Sequence, residues 1–68
     1  MNYIVSELVT NGTTKASIKY NGSDLNQARK AYYTSLVKGC DTAAECFAVI
    51  LLSQDGNIIA SMKFGGAE

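Results

Sequence analysis

Six carboxylates, two thiols and six basic side chains are the groups in this 68-residue chain that could do chemistry, and histidine and tryptophan are absent. Without an imidazole the commonest general base is gone, along with the usual neutral metal ligand and every nucleophilic triad that needs one. The carboxylates are Glu7, Asp24, Asp41, Glu45, Asp55 and Glu68. Asp24 precedes a helical pattern and reads as a cap, Asp55 precedes a glycine and reads as a turn residue, and Glu68 is terminal. Glu7 is the exception. Strand alternation sets it near Ala16, on the side of its strand that a helix would cover, where Arg29 is the expected partner in a rim salt bridge. One acid with no second group makes no acid–base pair, so the chain is read as non-enzymatic.

Cys40 and Cys46 are two thiols where structural zinc takes four ligands, so no metal is expected. A disulfide across the short loop between them is geometrically possible. Thiols in a reducing compartment instead behave as small hydrophobes, and that is the expectation here. Gly12, Gly22, Gly39 and Gly56 each fall at a turn or a helix end, which leaves no glycine-rich phosphate loop. No cofactor is implied.

The elements that must position these groups are few. Residues 23–39 form the one convincing helix: Leu25, Ala28, Tyr32 and Leu36 recur at intervals of three and four and share a face. Gln27, Lys30, Thr34 and Lys38 take the opposite face. Ser23 or Asp24 can cap its start, with Gln27 placed for a capping box, and Lys38 suits the negative end of the dipole. Gly39 is expected at C′ in the left-handed conformation.

Strand-like runs flank the helix in pairs. Asn11-Gly12 between two alternating runs is a hairpin signal, and a two-residue type I′ turn there pairs Tyr3 with Tyr20 and Val5 with Ile18. Asp55-Gly56 is a second, pairing Leu51 with Ala60, Val49 with Met62 and Phe47 with Phe64. Thr42 and Glu45 also match a capping box, which would make residues 46–52 helical; the brevity of that run and its Phe, Val and Ile favour a strand. The predicted fold is α+β, β-β-α-β-β, a mainly antiparallel four-stranded sheet with one helix on one face. The apolar run at 46–52 favours a central position and the order 2-1-3-4; a β-grasp order, 2-1-4-3, is the competitor. Residues 1–64 make one domain and residues 65–68 a loose tail.

A short chain with 47% hydrophobic and 18% charged residues is expected to fold, yet to bury too little surface for much stability alone. Basic and acidic residues cancel, so there is no basic footprint for nucleic acid. No apolar run reaches a membrane span and the start lacks the layout of a signal peptide, so a cytoplasmic location with no membrane contact is expected.

The helix leaves one sheet face to be accounted for. Ile4, Leu8, Ala48, Ile50, Leu52 and Ile59 fall there, an apolar centre of the kind that marks self-association or partner docking. Lys15, Lys19 and Lys63 fall on its outer strands and could serve nucleic acid. The aromatics Tyr3, Tyr20, Phe47 and Phe64 all fall on the other side, so the stacking platform such binding uses is missing. On the helix, Tyr33 with Arg29 and Lys30 is the best exposed contact for a partner protein.

The helix motif AYYTSLVKG followed by CFAVILLSQDGNIIASMKF resembles the small β-β-α-β-β proteins encoded by bacteriophages and prophages of gut Firmicutes. There an A-x-x-A-aromatic-aromatic helix precedes an apolar strand, an Asp/Asn-Gly turn and a closing strand. The resemblance covers about the C-terminal two-thirds and implies a protein that binds and blocks a host protein, including components of antiviral defence. Gly65-Gly66 and the alternative strand order also resemble ubiquitin-like modifiers. The leading expectation is a homodimeric, non-enzymatic interaction module, phage-encoded and directed at a host factor. The alternatives are a nucleic-acid or nucleotide binder, a structural subunit of a larger assembly, and a ubiquitin-like modifier.

Overall fold

The alternating runs close on glycine turns and give β1 (Tyr3–Asn11), β2 (Thr13–Gly22), α1 (Leu25–Cys40), β3 (Cys46–Ser53) and β4 (Ile58–Gly65). The computed structural model describes residues 1–42 and 44–65. All neighbouring strands are antiparallel and the sheet order is β2-β1-β3-β4. The strand with apolar residues on both faces, β3, lies inside the sheet as expected, and the β-grasp order is not adopted. Gly65 closes β4 rather than opening a tail; the rest of the expected tail lies outside the described residues.

The helix begins where a carboxylate can satisfy its free donors. Asp24 Oδ1 accepts from the N–H groups of Asn26 (2.9 Å) and Gln27 (3.3 Å). The Tyr20 hydroxyl accepts from the Asp24 N–H at 3.2 Å, which ties the end of β2 to the helix start. The buried stripe of α1 is Ala28, Tyr32, Ser35 and Gly39. Beneath it Val5, Phe47, Val49 and Leu51 form the sheet side of the core. Thr42 Oγ1 accepts from the Ala44 N–H at 3.3 Å, and the run from Cys46 is the strand β3 rather than a helix.

Gly39 is not the left-handed C′ residue expected. The helix runs on through Cys40 to its C-cap Asp41, and Gly39 is absent from the positive-φ glycines. What requires glycine is proximity: a Cβ at position 39 would lie 2.6 Å from the Phe64 ring and 2.8 Å from the Phe47 ring. Those rings, 6.2 Å apart, sit against the helix backbone.

The second hairpin has the expected register, Leu51 opposite Ala60, Val49 opposite Met62 and Phe47 opposite Phe64. The first hairpin differs. Asn11 pairs with Thr13, leaving Gly12 alone at the apex with φ of 81°, a conformation only glycine adopts readily. The register therefore moves by one residue, which exchanges the faces of β2. Ile18 and Ala16 join Ser6 and Leu8 on the uncovered face, while Ser17 and Lys15 sit opposite Glu7 and Val9 on the helix side. A bulge between Val5 and Ser6 then takes in Lys19 as the extra residue and restores parity, so Tyr20 packs beside Val5. Burial explains where the register is free to move: every residue from Thr13 to Lys19 is exposed, and only Tyr20 is held by the core.

Two outcomes follow from this packing. Gly39→Ala destabilises the fold by about 1–3 kcal/mol in urea denaturation through overpacking on the two rings, although helix propensity alone would stabilise it by about 1 kcal/mol. Burial, with a smaller contribution from Tyr33, raises the Tyr32 hydroxyl above its ordinary value of 10.0. The neutral form is thus favoured by folding, so this stability is fully present below pH 10.0 and is lost as pH rises through the folded-state value. Tyr32→Phe removes that part of the alkaline decline, as thermal melts of both proteins across that range would report.

Candidate functional site

Three surfaces gather the groups that sequence singles out. The first is the uncovered sheet face. Antiparallel pairing sets Ile4 beside Leu52, Ser6 beside Ile50 and Leu8 beside Ala48 across the two central strands. These residues are half-buried. Ile18 on β2 and Ile58 on β4 extend the surface, at 65% and 62% exposure. Neither follows from simple alternation. Ile18 arrives through the one-residue register change, and Ile58 through a second irregularity that sets it opposite Leu52. Ile59, expected on this face, is the extra residue at that irregularity and is 43% exposed.

The three lysines expected to share the uncovered face do not converge. Lys63 is there, opposite Ala48. Lys15 sits opposite Val9 on the helix side, and Lys19 turns its ammonium toward Glu7. The change of register in β2 is the cause of both displacements.

The second surface is built around Glu7, which β1 carries under the helix at 3% exposure. Burying a charged carboxylate is costly unless each oxygen finds a donor. Glu7 Oε2 accepts from Ser35 Oγ at 2.7 Å, and Oε1 accepts from Lys38 Nζ at 3.3 Å. Lys19 Nζ lies 3.9 Å from the same Oε1. Arg29, the expected partner, is exposed and makes no ion pair with Glu7. The helix lays its last turns, not its first, over the row that contains Ser17, Glu7 and Val49. Lys38 keeps 60% of its side chain exposed yet brings its end to the carboxylate. Ser35 was legible in principle, since it continues the three-and-four spacing of Ala28, Tyr32 and Gly39. A hydroxyl at that place in an apolar stripe signals a polar group beneath it.

The third surface is the outer side of α1. Tyr33 is 58% exposed, and its ring stands edge-on to that of Tyr32 at 5.6 Å. Arg29 and Lys30 are exposed one turn before it, and Val37 is exposed one turn after. The two cysteines are free, Cys40 exposed and Cys46 half-buried. Among the described residues no group of three or more histidine, cysteine or acidic side chains could hold a metal ion. No described helix is long and apolar enough to cross a membrane.

The Glu7 arrangement sets an ordering of mutational effects. Ser35→Ala, which strips one donor from a buried carboxylate, is expected to destabilise by about 1.5–3 kcal/mol. Arg29→Ala should stay within about 0.5 kcal/mol of the parent. Urea denaturation of the two variants side by side checks the ordering, and a larger loss for Arg29→Ala would contradict the partners assigned to Glu7.

Comparison with known proteins finds no family model, no curated protein and no solved structure that matches this chain.

Proposed function

We propose that this chain is a non-enzymatic interaction domain that works as a homodimer, its two uncovered sheet faces packed together and its helices turned outward. The observation that carries the reading is the composition of the uncovered face. An antiparallel sheet with one face in water normally alternates to polar residues there. Here Ile4, Leu8, Ile18, Ile50, Leu52 and Ile58 are registered to that face instead.

A second copy is the occupant this face suits best. Among the described strand residues Lys63, on the outer strand β4, is the one charged side chain registered to it. Two such faces can therefore meet without burying an unpaired charge at the centre. Four strands about 4.8 Å apart, with about eight residues each at about 3.3 Å, give a footprint of about 500 Å² per copy. The pair then covers about 1,000 Å², the lower bound of a specific interface. A domain this small also gains the most from sharing a core.

Dimerised in this way, the chain presents Tyr33, Arg29 and Lys30 to solvent, and Tyr and Arg are residue types that carry protein interfaces disproportionately. This supports a recognition surface on the helix, directed at another protein as in the phage-type inhibitors that the chain resembles. The dispersal of Lys15, Lys19 and Lys63 over two faces weighs against the nucleic-acid alternative.

Sedimentation velocity tests the dimer. The parent chain is expected at dimer mass in the micromolar range. Ile50→Asp, which puts a charge on the interface in both copies, should weaken association by at least about 100-fold while circular dichroism shows the helix retained. Tyr33→Ala should remain dimeric. A parent chain that is monomeric at tens of micromolar would overturn the reading.

A further inference from the structure

We infer that the cleft between β2 and the last turns of α1 binds a small organic anion, its oxyanion headgroup held between Lys19 and Lys38. The inference is independent of the dimer, because this cleft lies on the helix side of the sheet. The cleft measures about 340 Å³ and is lined by Glu7, Lys19, Ala31, Thr34, Ser35 and Lys38. That is near the lower end of small-molecule sites. With a water occupying about 30 Å³ of liquid, it holds a phosphate or carboxylate group and several carbon atoms.

Glu7 organises the cleft. Its carboxylate is 97% buried by its 3% exposure, is anchored by Ser35, and draws two ammonium groups toward one oxygen. One carboxylate against two lysines leaves a net positive charge. Hydrogen-bonding capacity is also left over. Each ammonium has three donors, and Lys38 gives one to Glu7 at 3.3 Å. Lys19, at 3.9 Å, lies beyond hydrogen-bond reach. An oxyanion bridging the two ammonium groups would take up the remaining donors in a site shielded on one side by protein. Thr34 adds a hydroxyl to the wall, and Ala31 a small apolar surface for the rest of the molecule.

The test is an NMR titration of isotopically labelled protein with inorganic phosphate and, separately, acetate, each against sodium chloride of matched ionic strength. Saturable shifts at Thr34, Ser35 and Lys38 are expected with at least one probe, and the probe that saturates identifies the headgroup as phosphate or carboxylate. Lys19→Met should weaken that binding at least tenfold. Glu7→Gln removes the competing negative charge while leaving an oxygen for Ser35, and should tighten it several-fold, an effect no purely structural role for Glu7 would produce. Should Lys19→Met fail to fold, Thr34→Ala at an exposed position is expected to weaken binding several-fold. Shifts no larger than those of chloride for both probes would overturn the inference, as would affinity unchanged in the Lys19 variant or reduced in the Glu7 variant.

Discussion

The close approach of α1 to the sheet is the constraint on which the other features depend. Three of the four buried helix residues, Ala28, Ser35 and Gly39, are small, and the bulk that fills the layer comes chiefly from the strands through Val5, Phe47, Val49 and Leu51. Small residues let the helix backbone settle onto the rings of Phe47 and Phe64. That closeness seals Glu7 from water and so dictates what must stand above it. A hydroxyl at Ser35 and an ammonium from Lys38 supply the donors that solvent no longer can. The cleft beside them follows from the same fact, since Lys19 and Lys38 reach inward toward a charge that cannot move outward.

Much of this was legible from residue types, and the failures have identifiable physical causes. The second hairpin could be registered correctly at Phe47–Phe64, Val49–Met62 and Leu51–Ala60 because β3 buries its side of those pairs, although the register slips by one residue between Leu51 and Leu52. The first could not. Asn-Gly announces a reversal without saying whether one or two residues form its apex, and the exposed half of β2 applies no burial pressure to choose. A bulge then corrects the parity before Tyr20, so the core-facing residue was placed properly while the residues before it were not. Of the three lysines expected on the uncovered face, Lys15 and Lys19 lie elsewhere for that reason, whereas Lys63, on the other hairpin, is where alternation sets it.

Gly39 and Glu7 illustrate a different limit. A glycine near the end of a helical pattern fits both a left-handed cap and a point of close contact, and only the position of the opposing rings separates the two. Glu7 was correctly placed on the covered side by alternation. Its partner depended on which turn of the helix lies over which row of the sheet, a quantity fixed by tertiary packing rather than by spacing along the chain. Tyr33 is exposed as its place on the helix suggested, whereas of the two cysteines expected to behave as small hydrophobes Cys46 is half-buried and Cys40 is exposed.

The two irregularities of the sheet have a consequence for how copies of this chain can accumulate. One sits where β2 meets β1 and the other where β4 meets β3, so each outer strand carries its own interruption. An uninterrupted outer strand is a template on which further strands add without limit. With both rims broken in this way, continuous lateral growth is disfavoured, while packing face to face consumes the surface it uses. An assembly built face to face, as proposed for this chain, would close at a fixed number of subunits rather than grow into a fibre.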